Sequence, residues 1–400
     1  MISKELLSAV TALGLVSGVA AVGCDDPTAT IASAADATTV ANCDSIEGSV
    51  LVSSSAGPTI DISGSLESIG GSLIVQNNGL IQTLSSDSIK TIGDVFQLKN
   101  NTALTSLSFS ALSEVGSIDW STLNALPEIN FGTPGITKAN TVVIADTFVQ
   151  TIEGINVESL TTMNINNNRR ITKFSSSIKN LKNELSVQAN GLNLTMELPN
   201  LEWIANMTIA NVTEFSVPSL KTVNGSMRFD SNYFTTFLAP NLTEIQEGDL
   251  SFVSNPELTN ISLSGLEKVG GGFTIANNTA LTKITGFSGL TEVGGAVKVV
   301  GSFDEISFAK LEDVKGTMDI ASTEDISSDC DTLNGLSSNV VQGGVTCESE
   351  NANANNDTSS AGDGDSTGTG NQQNAASLIG TSASTIISLA AVGAFVTAFM

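Results

Sequence analysis

Residues 248–270, GDLSFVSNPELTNISLSGLEKVG, and residues 271–294, GGFTIANNTALTKITGFSGLTEVG, are two successive copies of one pattern. Aligned on Asn255 and Asn278, apolar residues stand five and three places earlier: Leu250 and Phe252, then Phe273 and Ile275. Leu258 or Leu281 follows three places later, then Ile261 or Ile284, and each copy closes on Leu266–Val269 or Leu290–Val293. Apolar residues two apart mark a strand with one buried face, because successive side chains alternate sides. The Asn marks a turn, since its amide bonds to local backbone and it tolerates the left-handed region. A unit of about 23 residues with one firm strand cannot bury its own apolar face, so it must stack on copies of itself.

Earlier segments obey the same template. Asn78, Asn101, Asn168, Asn190 and Asn232 each follow apolar residues three and five places back, and L-x-x-[IV] closures recur, as at Leu66–Ile69 and Leu220–Val223. Residues 117–160 are the least regular, with Trp120 replacing an aliphatic residue and Leu123 standing where the Asn would be. The expected architecture is an all-β solenoid of about twelve turns between residues 46 and 340. Stacked asparagines would either bond to one another as an internal ladder or serve only their own turns; spacing alone does not choose.

Acidic residues outnumber basic ones by 41 to 16, which argues against nucleic acid or anionic membrane surfaces as partners. There is no histidine, which excludes every imidazole-dependent triad and His–metal site. No cofactor is expected. The four cysteines form two local pairs flanking the repeats. A rod of a dozen turns at about 4.8 Å each spans roughly 55–60 Å, beyond disulfide reach. The pairing is therefore Cys24–Cys43 and Cys330–Cys347, one bridge closing each end.

The chain ends carry processing signals. Residues 1–21 read as a secretory signal peptide, with Lys4 ahead of an apolar run. Residues 22–347 form the solenoid with its caps. Residues 348–373 hold almost nothing apolar and read as a disordered stalk. Residues 374–400 combine small residues, a polar spacer and an apolar tail, the pattern of a GPI-attachment signal, with Asn374 as the lipidated residue and 375–400 removed. Membrane contact would then be through the GPI lipid only. Nine N-x-[ST] sequons, at Asn100, Asn193, Asn206, Asn211, Asn224, Asn241, Asn260, Asn277 and Asn356, make N-glycosylation the expected modification of a secreted chain.

The repeat G-x-[LF]-x-[IV]-x-N-N-x-x-L-T, the closures and the terminal cysteine pairs resemble the receptor L-domain repeat. With the signal peptide, stalk and GPI tail, the chain resembles the fungal GPI-anchored cell-wall-organisation glycoproteins. The resemblance implies a right-handed, single-stranded β-helix of leucine-rich character, a place at the plasma membrane or wall, and a non-enzymatic role in wall integrity.

Residues four and two places before each Asn point away from the core and stack into two rows. Gln76, Asp119, Ser121, Asn164, Asn166, Ser186, Gln188, Arg228, Asp230, Ser251 and Thr274 belong to them, a polar face suited to wall polysaccharide such as β-glucan or to wall proteins. Two alternatives have different requirements. A polysaccharide-acting β-helix enzyme would need a carboxylate pair across a cleft. A purely structural wall spacer would need no particular face.

Overall fold

The computed structural model describes residues 23–337 and 339–356, and throughout them each firm strand pairs in parallel with its counterpart one repeat away. The stack runs from Thr28–Ile31 through strands such as Thr91–Lys99, Asn180–Gln188, Met227–Asp230 and Phe273–Ala276 to Val345–Glu348. The result is a parallel β-solenoid of about 14 turns with 6% helix. The two additional turns beyond the expected dozen lie at the ends, where Thr28–Ile31 and Val345–Glu348 join the sheet.

The closing pairs and the firm strands belong to one 22-stranded sheet. Lys268–Val269, for example, pairs with Glu244–Ile245 and Glu292–Val293. A sharp corner separates each closing pair from the next firm strand, and the glycines of the L-x-x-[IV]-G motif make it possible. A Cβ on Gly270 would lie 1.9 Å from the carbonyl oxygen of Gln246. In the strands Thr91–Lys99 and Glu114–Leu123 the two segments fuse, and a register shift between Val115 and Ser117 absorbs the corner. Opposite this sheet, short strands pair in smaller groups, one of which joins Thr59–Asp61, Thr83–Ser86, Ser106–Phe109 and Ile129–Asn130.

The leucines, isoleucines and phenylalanines of all turns share one interior running from Ala29 to Val341. Residues 117–160, irregular in sequence, still pair in register on the main sheet, Trp120 opposite Leu98 and Ile144. Trp120 is fully buried, stacked on Phe131 at 5.9 Å and edge-on to Phe96 at 5.5 Å. The irregularity shows where isolated bridges replace strands, as at Ile136–Ile155 and, at the closing corner, Glu114–Lys138.

The asparagines form a ladder. Oδ1 of Asn255 accepts from the backbone N–H of Asn232 at 2.9 Å, and Oδ1 of Asn278 accepts from that of Asn255 at 2.9 Å. Each Nδ2 donates back to a strand carbonyl of the preceding turn: Asn232 to Ile209, Asn255 to Phe229, Asn278 to Phe252. Similar rungs join Asn78 to Asn101, and Thr147 through Asn168 to Asn190. Leu123 and Val212 occupy the same position and are buried; Leu123 interrupts the ladder, while the Val212 N–H still donates to Asn232. The left-handed residue is not the ladder Asn but its predecessor: Asn77, Asn100, Thr122, Asp146, Asn167, Ala189, Asn211, Ser231, Ser254 and Asn277 all have φ between 52° and 61°. That residue must turn the chain so that the next amide points inward.

Both ends are capped as expected. Cys24–Cys43 has its Cα atoms 5.7 Å apart, and Cys330–Cys347 5.5 Å. At the first end lies α1 (Ala34–Ala41), its N-terminus capped by the Ser33 hydroxyl, which accepts from the N–H of Asp36. At the last, α2 (Ser327–Asn334) buries Cys330 and Leu333. Nearby, hydrogen bonds from Ser327 and Ser349 hold the Asp325 carboxyl below its ordinary range. Replacing Cys330 and Cys347 with serine should cost about 3 kcal/mol, the loop-closure value for a ring of this size. Denaturant unfolding of the serine variant against the unaltered chain, both without reductant, measures it; identical midpoints would show that the cap holds without the bond.

One boundary is corrected. The stalk was expected to begin at residue 348, yet Glu348 ends a strand and residues 354–356 form a 3₁₀ turn. Ala354 is buried against Ala276, Val300 and Ala321, and Asn355 donates from Nδ2 to the Ser302 hydroxyl at 2.6 Å. A small apolar patch on the outside of the sheet thus holds a segment whose own composition contains little to hold it. The proposed signal peptide, the remaining stalk, Asn374 and residues 375–400 lie outside the described residues.

Candidate functional site

Strand alternation places the two polar rows on the outside of the main sheet, as expected. One row reads Gln97, Asp119, Val143, Asn164, Ser186, Thr208 and Arg228 through successive pairings. The other reads Gln76, Lys99, Ser121, Ala145, Asn166 and Gln188, with Asp230 further along. Gln97 and Lys99 were missed although they flank the inward Leu98; counting outward from every inward residue would have found them. They bind the same carboxylate: Asp119 Oδ2 lies 2.6 Å from Lys99 Nζ and 3.1 Å from Gln97 Nε2.

The rows are not uniformly open. Gln76, Gln188, Arg228 and Asp230 are exposed, Asp119 and Asn164 half-buried. The Oδ1 of Asn164 is buried without a hydrogen-bond partner. Arg228 pairs with Asp249 across 3.3 Å, and Asp230 accepts from the Ser231 hydroxyl. Thr274, placed on this face by the alternation, is only 2% exposed, and Ser251 is also buried. Thr274 is therefore not part of an open surface. The outer row of the last turns reads Val253, Ala276, Val300 and Ala321, apolar residues that attract cover instead of water. Beyond Asp230 the polar face is interrupted at the buried Ser251 and Thr274 before Lys298 and Asp319 continue its outer row.

Carboxylates at the closing corners bind lysines of adjacent turns. Glu67 meets Lys90, Glu114 meets Lys138, Glu202 meets Lys221, and Glu292 meets both Lys268 and Lys315. The hydrogen bond and charge of Lys221 hold the Glu202 carboxyl below its ordinary range. These pairs are exposed, so each adds little to stability. Among the described residues there is no group of three or more His, Cys, Asp or Glu placed to hold a metal ion.

The sequon asparagines avoid the core. Asn100, Asn193, Asn206, Asn241, Asn260 and Asn356 are exposed; Asn211, Asn224 and Asn277 are half-buried. Asn100, Asn211 and Asn277 occupy the left-handed position beside the ladder, so each neighbour turns inward while they turn out. Some of their amides link turns: Asn100 Nδ2 donates to Asn77 and Asn277 Nδ2 to Ser254.

No family model matches the chain, and no solved structure does. Known proteins do match. The chain is 38% identical over 237 residues to protein ecm33 of Aspergillus fumigatus, covering 58% of each chain. It is 35% identical over 214 residues to a cell surface GPI-anchored protein of Arthroderma benhamiae, covering 53% of this chain and 54% of that one. It is 34% identical over 236 residues to sporulation-specific protein 2 of Saccharomyces cerevisiae, covering 58% of this chain and 47% of the relative. The chain spans about half the length of the curated relatives it matches. Over somewhat more than half of its length the chain is thus similar to fungal proteins named as GPI-anchored cell-surface and cell-wall proteins.

Proposed function

We propose that this chain is a non-enzymatic surface glycoprotein of a fungal cell, held by a GPI lipid at the outer face of the plasma membrane or in the wall, where it supports wall organisation. Its partners in this reading are wall polysaccharide, with β-glucan the first candidate, or other wall proteins. The observation that carries the reading is the open polar face between Gln76 and Asp230, displayed on a rigid parallel sheet. Extended faces of this kind are how stacked-repeat proteins engage elongated partners. The names of the relatives support the location, and none of them names an enzymatic activity.

Reversing the charges, Arg228→Glu with Asp230→Arg, should weaken retention in isolated walls roughly tenfold, about 1.4 kcal/mol. The thermal midpoint should stay unchanged because both side chains are exposed. Full retention by the folded variant would remove the face from the binding surface and favour the spacer reading.

A further inference from the structure

Two of the chain's three arginines, Arg169 and Arg170, are adjacent in sequence. They lie in the turn that follows the ladder residue Asn168, and they line a concavity of about 420 Å³ with Gln150, Thr172, Leu192 and Asn193. Both are exposed, and among the described residues neither forms an ion pair, although most of the lysines are paired. The guanidinium of Arg170 lies 4.6 Å from the centre of the Phe148 ring, a contact that holds the group without neutralising its charge. Gly191 forms the floor: a Cβ there would come within 2.7 Å of the Ile171 carbonyl oxygen and 2.9 Å of that of Arg169, so the two turns close tightly beneath the arginines.

A chain of net charge −25 repels anions over most of its surface. Two uncompensated guanidinium groups at one concavity are therefore a local exception. Guanidinium is also the side chain that matches oxyanions with paired hydrogen bonds. Around it stand the amides of Gln150 and Asn193, the hydroxyl of Thr172, and Leu192, which is 73% exposed. Amides, a hydroxyl and one apolar surface suit a sugar ring, whose edges are polar and whose face is apolar.

We infer that this concavity is a binding site for a sugar-borne oxyanion, a phosphate or carboxylate on a saccharide. The saccharide part rests on the proposed surface location; the oxyanion part stands on the arginines alone. The site is separate from the outer sheet face. Asn193, a sequon residue, lies at its rim, so an oligosaccharide attached there would overhang it.

The test uses the full chain trimmed of N-glycans, titrated at low salt with glucose 6-phosphate, glucuronate, inorganic phosphate and glucose. The two acidic sugars should bind about tenfold more tightly than glucose and more tightly than inorganic phosphate, and the binding should weaken with added salt. Arg169→Gln with Arg170→Gln should abolish it, Arg170→Lys should retain part of it because charge remains without the planar fork, and Lys310→Gln, an exposed charge outside both surfaces, should leave it unchanged. Absence of binding, or binding untouched by the double variant while its melting curve is unchanged, would overturn the site. Equal affinity for inorganic phosphate and glucose 6-phosphate would overturn the saccharide assignment. Wall retention of the Arg228 and Asp230 variant is scored separately, so failure of one site does not obscure the other.

Discussion

Phe229→Ala should destabilise the solenoid by about 3–5 kcal/mol, the usual cost of emptying an aromatic site in a close-packed interior. Phe229 is fully buried, with Phe237 at 4.4 Å and Phe252 at 4.7 Å between ring centroids, and with Phe215 and Phe234 both at 5.9 Å. Phe234 and Phe237 lie in its own turn and Phe215 and Phe252 in the turns before and after, so the cavity would open between windings, where backbone pairing resists collapse. Phe229→Leu, which keeps most of the volume, should cost less than about 1.5 kcal/mol. Because each turn touches only its neighbours, the damage should be local. Hydrogen exchange should accelerate first in Trp203–Ala210, Met227–Asp230 and Leu250–Val253, while protection near Leu73–Gln76 persists. Uniform acceleration along the chain would contradict the picture of stacked, nearest-neighbour units.

Asn255→Ala should cost roughly 2–6 kcal/mol, since two buried groups, the Asn232 N–H and the Phe229 carbonyl, lose a partner and each left unsatisfied is worth about 1–3 kcal/mol. The loss removes the acceptor of the Asn232 backbone N–H and donors to the carbonyls of Phe229 and Val253. It also breaks the amide contact to Asn278, at 3.0 Å. The neighbouring Ser254→Ala, half-buried on the outer side of the same corner, is the control, with an expected change below about 1 kcal/mol. Denaturant midpoints compare the two. If Asn255→Ala were as mild as the control, the rungs would be incidental to a corner held by backbone pairing alone.

The stacking is legible in the repeat alone. A period near 23 residues and alternation around each Asn leave a chain no way to bury Phe252 or Ile275 except against another copy, and the fold follows from that shortage of partners. The cysteine pairing was equally legible, because a rod cannot bring its ends together. Tertiary structure decided matters that depend on register between distant residues. Val253, Ala276, Val300 and Ala321 are each unremarkable in their own strands; only stacking joins them into the patch on which Ala354 packs. The ladder likewise needed coordinates, since an inward Asn serves its own turn or the next with the same spacing. Arg169 and Arg170 became a site only when the turns carrying Gln150, Gly191 and Asn193 were laid beside them. Local alternation tells which side of a strand a residue faces, while what it meets on that side is set by the windings above and below.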